Sequence, residues 1–271
     1  MPIDYPLLRY PKRESSAALW LGALAALLGA ALWLHGPIAQ WDDYHAFADR
    51  RPWLGVPNAA NVLSNLPFLA VGCWGLWRLG GQRGPTASAW RVFAAALICT
   101  ALGSAAYHGS PSNATLVGDR LPIAWACAAL LCAFLAERLQ PRWASAPSLG
   151  AALAFATLAV AYWWWTERAG RGDLRPYLYL QLLPMLLVPA ALWLRLPATF
   201  ETATAARAWW AVLGLYAAAK VFELADQAVF DATALISGHT LKHLFAAAGA
   251  AWLLHAATRR VGDGISSGNR R

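Results

Sequence analysis

Charge is what this sequence has least of. Asp, Glu, Lys and Arg make up 13% of its 271 residues, about half the ~25% typical of soluble domains. An apolar fraction of 59% and a mean hydropathy of +0.40 fill the deficit and argue against a soluble globular enzyme. Cysteine is sparse and unpatterned. Cys73, Cys99, Cys127 and Cys132 all lie in apolar runs and none forms a C-x-x-C pair, so neither a disulfide framework nor a thiolate metal site is indicated and buried structural thiols are expected. The 22 Lys and Arg residues, source of the +8 net charge, come in twos and threes between apolar segments. Without a basic stripe, a nucleic-acid partner is not indicated. Internal repeats, Gly/Ser linkers and long low-complexity segments are absent as well.

What the chain does have is long apolar runs. Its length would suit two soluble domains, but eight membrane helices of about 20 residues use ~160 and leave short connections. The runs predict spans over 17–35, 58–79, 89–108, 117–137, 147–166, 176–195, 208–229 and 238–258. The expected fold is therefore an all-α polytopic membrane helix bundle embedded in a lipid bilayer. Leu19 to Leu34 follows Arg9, Lys12 and Arg13; the run is long for a signal peptide and no cleavage site convinces, so a retained helix is expected. The organisation reads as a cytoplasmic segment 1–16, an additional helix 17–35, an outer loop 36–57, a core 58–258 and a basic tail 259–271.

Sorting Lys and Arg by alternate sides puts 14 on the side of the N-terminus and 6 on the other, with Lys220 and Lys242 inside spans. The positive-inside rule then expects both termini in the cytoplasm. Arg50, Arg51, Arg120, Arg168, Arg171 and Arg175 form the outer set, and the 168–175 loop fits the rule least well.

In so apolar a chain, polar residues inside spans carry the functional signal, because each ionised group at the bilayer centre costs about 2.5–3.5 kcal/mol on insertion scales. Ser104 and His108 are four apart near the end of the third span; Asp119 opens the fourth; His239 and His243 are four apart at the start of the eighth. Alternating topology puts His108, Asp119, His239 and His243 at one depth, toward the outer leaflet. A histidine pair at i, i+4 projects both rings to one side of a helix, about 40° apart. Either histidine element alone is compatible with interhelical hydrogen bonding, and Ser104 alone with helix packing. Together they suit three imidazole ligands with a fourth position open, the arrangement of zinc hydrolases.

The H-E-x-x-H motif of zincins is excluded, since Thr240 follows His239, so the acid/base must come from elsewhere. Asp119 is the candidate, and Ser104 could bond the water or the developing oxyanion. His255 lies sixteen residues after His239, about 24 Å along the helix, and is not counted as a ligand. His35 and His45 read as interfacial or solvated. Asn58, Asn61 and Asn65 stripe the outer half of the second span, for interhelical hydrogen bonding or support of the site. In the seventh, Lys220, Glu223 and Gln227 share a face with Asp226 offset, which suggests an internal ion pair.

The N-x-x-S-N of Asn61, Ser64 and Asn65, the S-x-x-x-H of Ser104 and His108 followed by Asp119, and the G-H-x-x-x-H of Gly238, His239 and His243 together resemble the alkaline ceramidase family. These are integral membrane hydrolases, in a wider group that includes adiponectin-type receptors. The resemblance covers roughly residues 55–258, and KVFELAD followed by SGHTLKHL resembles the bacterial members. It implies His108, His239 and His243 as Zn2+ ligands, Asp119 and Ser104 beside the reacting water, and a seven-helix core with its site near the outer face. The chain departs in its additional N-terminal helix. It also has WDDYH and Asn58 where eukaryotic relatives carry an acidic segment and a Glu associated with calcium.

The expected function is zinc-dependent hydrolysis of a ceramide-like lipid amide to a fatty acid and a sphingoid-type amine, in a bacterial inner membrane. The alternatives are a zinc-dependent lipid ester hydrolase, or a receptor or transporter using the same histidines.

Overall fold

A computed structural model describes residues 11–259; Arg9 and the tail from residue 260 lie outside the described residues. The first helix, α1 (Pro11–His35), is followed by α2 (Ala59–Leu63) and α3 (Leu66–Leu79), then α4 (Ala87–Gly109), α5 (Asn113–Arg138), α6 (Ala146–Arg168) and α7 (Arg175–Trp193). The chain closes with α8 (Ala206–Leu224), α9 (Asp226–Thr233) and α10 (Gly238–Thr258). Among the described residues there is no strand beyond one isolated bridge between Trp53 and Val56.

Six segments are long and apolar enough to cross a membrane, with α2 and α3 counting as one, and the bent pair α8–α9 makes a seventh. The last helix, α10, is long enough at 21 residues but is made less apolar by His239, Lys242 and His243. The molecule is an all-α polytopic membrane bundle whose outer surface carries large apolar side chains. Trp33 and Trp165 are exposed near helix ends on one side, and Trp77, Trp193 and Trp210 on the other, as amphipathic indoles at the two interfaces of a bilayer.

Two expected helices are interrupted, each for a local reason. The segment 58–79 divides at Ser64–Asn65, where Pro67 in the first turn of α3 supplies no N–H to continue the ladder. The segment 208–229 bends by 77° between α8 and α9, at Ala225. Asp226 there binds tertiary partners described below. Two cysteines also depart from expectation: Cys73 and Cys99 are exposed on helix surfaces, while Cys132 is buried.

The tightest helix pair is α4 against α5. A Cβ on Gly103 would run into the Gly118 carbonyl, so the absence of side chains lets the two backbones touch. That contact sets Ser104 beside Asp119. The start of α5 is fixed by a reciprocal cap, in which the Ser112 hydroxyl accepts from Thr115 N–H and the Thr115 hydroxyl accepts from Ser112 N–H.

The additional helix α1 packs along α7 and is pinned at the end nearer the histidines. Asp173 accepts from Arg175 at 2.7 Å and from Ile38 N–H at 3.4 Å, while Arg175 donates to the Trp33 carbonyl at 3.3 Å. Arg175, the awkward charge of the 168–175 loop, is therefore neutralised in place. Burial pushes the Asp173 carboxyl up, but the bonds from Arg175 and the Ile38 N–H outweigh it and hold the group below its usual range. A depressed folded value makes the clamp fully present above the unfolded pKa of about 4 and lost as pH falls through the lower folded value. Hydrogen exchange should therefore find Ile38 and Leu174 amides protected at pH 5 and above. Asp173→Asn should raise exchange at residues 33–38 at every pH while leaving α10 protected.

Candidate metal centre

The three histidines singled out by sequence meet at one end of the bundle. His108 ends α4, and His239 and His243 open α10; their ligand atoms all lie within 4.8 Å of one another. The Nε2 atoms of His108 and His239 are 3.2 Å apart, and the three ring centroids are separated by 4.7 to 5.0 Å. Among the described residues this is the group of His, Cys, Asp or Glu placed to hold a metal ion.

Each ring is positioned by a different device. His243 Nδ1 is 2.7 Å from Ser64 Oγ, whose own proton goes to the Asn61 carbonyl at 2.9 Å. Ser64 must then accept from an Nδ1–H, which leaves the Nε2 lone pair of His243 free for a metal. His108 is 1% exposed, and the carbonyl of the same residue accepts from Asn58 at 2.8 Å. His239 is fixed through its backbone: its N–H donates to Asp226 Oδ1 at 2.7 Å. Gly238 allows this approach, since a Cβ there would meet the Phe222 carbonyl and the Asp226 backbone. The stripe on the second span thus serves both of its expected readings. Asn61 also accepts from Thr240 at 2.9 Å, tying α2 to α10.

Asp119 and Ser104 line, together with His243, the head of one cavity. Both are buried, they interact with each other, and among the described residues Asp119 Oδ1 has no hydrogen-bond partner. A buried carboxyl oxygen without a partner is open to a further group entering the cavity.

From this end an apolar cavity runs into the bundle. Ser104, Asp119 and His243 line its head; Phe93, Leu130 and Trp209 line its depth. Asp119 and Leu130 are eleven residues apart on α5, so the cavity extends about 16 Å along the helices. That matches half of a ~30 Å hydrocarbon core. The helix α8 leans on α10 and touches α7 at few points, and residues of α7 and α8 face each other across the cavity.

Several residues here were not legible in the sequence. Phe47, 6% exposed, covers the cluster from the loop, with ring centroids 4.6 Å from His108 and 5.1 Å from His239. Asp226 Oδ2 accepts from Ala48 N–H at 3.0 Å, so this carboxylate holds both the covering loop and a histidine. Arg51 extends the clamp, pairing with Asp49 at 2.8 Å and donating to the Ala234 and Leu235 carbonyls. His45 is not merely solvated: its ring bonds Tyr107 at 2.9 Å and Asn113 at 3.0 Å. Arg120, counted with the outer set at the head of the expected span 117–137, is 2% exposed inside α5. Its guanidinium lies 4.0 Å above Trp163 and within 5.4 Å of Tyr44 and Tyr177. Charge–quadrupole attraction takes the place of hydrogen bonds there.

His255 stands exposed at the other end, accepting from Arg259 at 3.2 Å, outside the cluster as expected. Gln227 leaves the Lys220–Glu223 face at the bend and bonds Asp231 on α9 instead, at 2.7 Å.

Gly238→Ala is expected to push α10 away from α8 and to destabilise the fold by about 1–3 kcal/mol. Thermal unfolding should show a lowered Tm, and metal analysis a lowered metal content; a variant matching wild type in both would remove the close approach from the account.

Comparison with curated proteins finds no match. The family model described as Ceramidase matches residues 56–258, about three quarters of the chain, spanning all three motifs and every helix after α1. Ceramidases are lipid amide hydrolases, and the match encloses the buried histidine cluster: the chain belongs to the ceramidase family.

Proposed function

We propose that the chain is a zinc-dependent integral membrane hydrolase that cleaves the amide bond of a ceramide-like lipid, giving a fatty acid and a sphingoid-type amine. The observation that carries this reading is the meeting of His108, His239 and His243, with His243 also lining, beside Asp119 and Ser104, the head of an apolar cavity about one leaflet long. The donor set fits zinc. The 3.2 Å between two Nε2 atoms agrees with the roughly 3.3 Å edge of a tetrahedron built on 2.0–2.1 Å bonds, and Ser64 leaves His243 in the matching tautomer. When bound, zinc supplies Lewis acidity to the amide carbonyl and acidifies water near neutral pH.

The chain's own residues divide the remaining work. Asp119, with its open Oδ1, takes a proton from the attacking water and returns it to the leaving nitrogen. Ser104 donates toward the developing oxyanion. The apolar depth of the cavity accepts the acyl chain, and Phe47 shields the reacting end. On the Lys and Arg distribution, both termini are cytoplasmic and the site faces the outer leaflet of a bacterial inner membrane. Residues 58–258 form the hydrolase core and 17–35 an accessory helix.

Purified protein is expected to hold about one zinc per chain and to hydrolyse members of a lipid amide panel faster than matched esters. His239→Ala should lose both metal and activity. A wild-type zinc content near zero, or undiminished turnover by that variant, would sink the reading.

Two further substitutions separate the roles. Ser64→Ala should weaken zinc affinity or activity about 10–100-fold by releasing the His243 ring. Asp119→Asn should retain zinc while kcat falls about 10²–10⁴-fold; equal loss of metal in both would make Asp119 a ligand instead of a proton carrier.

A further inference from the structure

Two lysines in an apolar membrane cavity call for a reason, because each is costly there unless paired. Lys220 on α8 and Lys242 on α10 both bind the single carboxylate of Glu223, at 2.5 Å and 3.1 Å. All three residues line the same cavity as Ser104, Asp119 and His243. One carboxylate thus balances two ammonium groups, and an ammonium has three donors, so both lysines keep N–H groups in hand. Asp119 lines the same cavity and lies next to Ser104, whereas the carboxylate that binds the two ammonium groups is Glu223. Lys220, 48% exposed, stands at the rim; Lys242, 21% exposed, lies deeper.

Position decides which part of a lipid meets these lysines. Along α8 the cavity lining runs from Trp209 at the apolar depth to Lys220 and Glu223 near the helix end, about 20 Å at 1.5 Å per residue. An acyl chain occupying the depth leaves the amine half of the molecule at the lysine end.

We propose that Lys220 and Lys242, held in place by Glu223, form a headgroup subsite for an anionic group of phosphate or sulfonate type on the amine half of the lipid amide. The assignment rests on the amide hydrolase reading for its scissile bond and adds to it the charge of the substrate. Two ammonium groups converging on one space suit a tetrahedral oxyanion, whose oxygens accept from both without displacing Glu223.

The test uses full-length, zinc-loaded protein in nanodiscs of neutral lipid. The first arm compares kcat/KM for ceramide 1-phosphate and for ceramide of the same chain length. The second measures binding of hexadecyl phosphate and of hexadecanol, which contain no amide. Wild type should prefer the anionic member of each pair by at least about tenfold, the scale of one charge-assisted hydrogen bond, with the preference shrinking as salt rises. Lys220→Met should abolish that preference, and Lys220→Arg should restore most of it. Glu223 keeps Lys242 as a partner in both variants. Inorganic phosphate at the same concentration should not displace hexadecyl phosphate; displacement would make the site one for free anions and overturn the headgroup assignment. Equal treatment of anionic and neutral members, or an unchanged preference in Lys220→Met, overturns the subsite while amide hydrolysis stands. Preference in the binding arm with no amide cleaved overturns the hydrolase reading and, with it, the substrate assigned here, leaving only an anionic-lipid site.

Discussion

One carboxylate joins the parts of this molecule that must move together. Asp226 accepts from the backbone N–H of Ala48 in the outer loop and of His239 at the head of α10. Helix α8 ends just before it, and the 77° bend turns the chain away. A hydrogen bond from a backbone amide to a carboxylate is among the stronger kinds, and both of these are part-buried. Breaking the seventh helix at this point frees a side chain to organise two segments that are distant in sequence. The cost of an interrupted ladder is offset by the hydrogen bonds that hold the loop and the histidine end of α10 together.

The rest of that end is built on the same economy. Backbone groups freed at helix ends are taken up by side chains: Asn58 binds the His108 carbonyl, and Ser237 caps α10 through Thr240 N–H. Against that background of satisfied groups, the unpartnered atoms are informative. Among the described residues the buried side-chain atoms without a hydrogen bond include His108 Nδ1 in the histidine cluster and Asn65 Oδ1 and Asp119 Oδ1 on the cavity wall, and others away from it at Gln40, Arg138 and Trp163. A buried polar atom without a partner costs about 1–3 kcal/mol. For Asn65 and Asp119, which line the cavity, water or a bound molecule can supply the missing partner.

Hydropathy made the spans legible because each is mostly apolar between polar breaks: the expected 238–258 is α10 residue for residue despite Lys242 and its histidines, and 89–108 differs from α4 by two residues at one end and one at the other. The site residues were legible for the converse reason, since His108, Asp119, His239 and His243 are conspicuous in so apolar a chain and alternating topology sends them to one end. What stayed hidden depends on tertiary partners. Asp226 reads as one more polar residue on a helix until its partner at Ala48, far away in sequence, is known. Phe47 lies in a loop with no periodicity to betray its direction. The count of charges by side says nothing of the surroundings of Arg120, which three aromatic rings from the loop before α2, from α6 and from α7 enclose.

Those hidden residues share a location, and it explains why the outer loop is the longest connection. The histidines sit at one end of the bundle, beneath the loop that joins α1 to α2. The loop closes the aqueous side with Phe47 and is anchored at three points: Asp226 at Ala48, Arg51 at Ala234 and Leu235, and Asn113 at His45. The lipid side has no such cover, because α7 and α8 are held apart by the cavity between them. A largely apolar cavity strengthens the charges that line it and favours a molecule that enters with its apolar part first. The sparse contacts of α8 with α7 are therefore the complement of the dense anchoring of the loop.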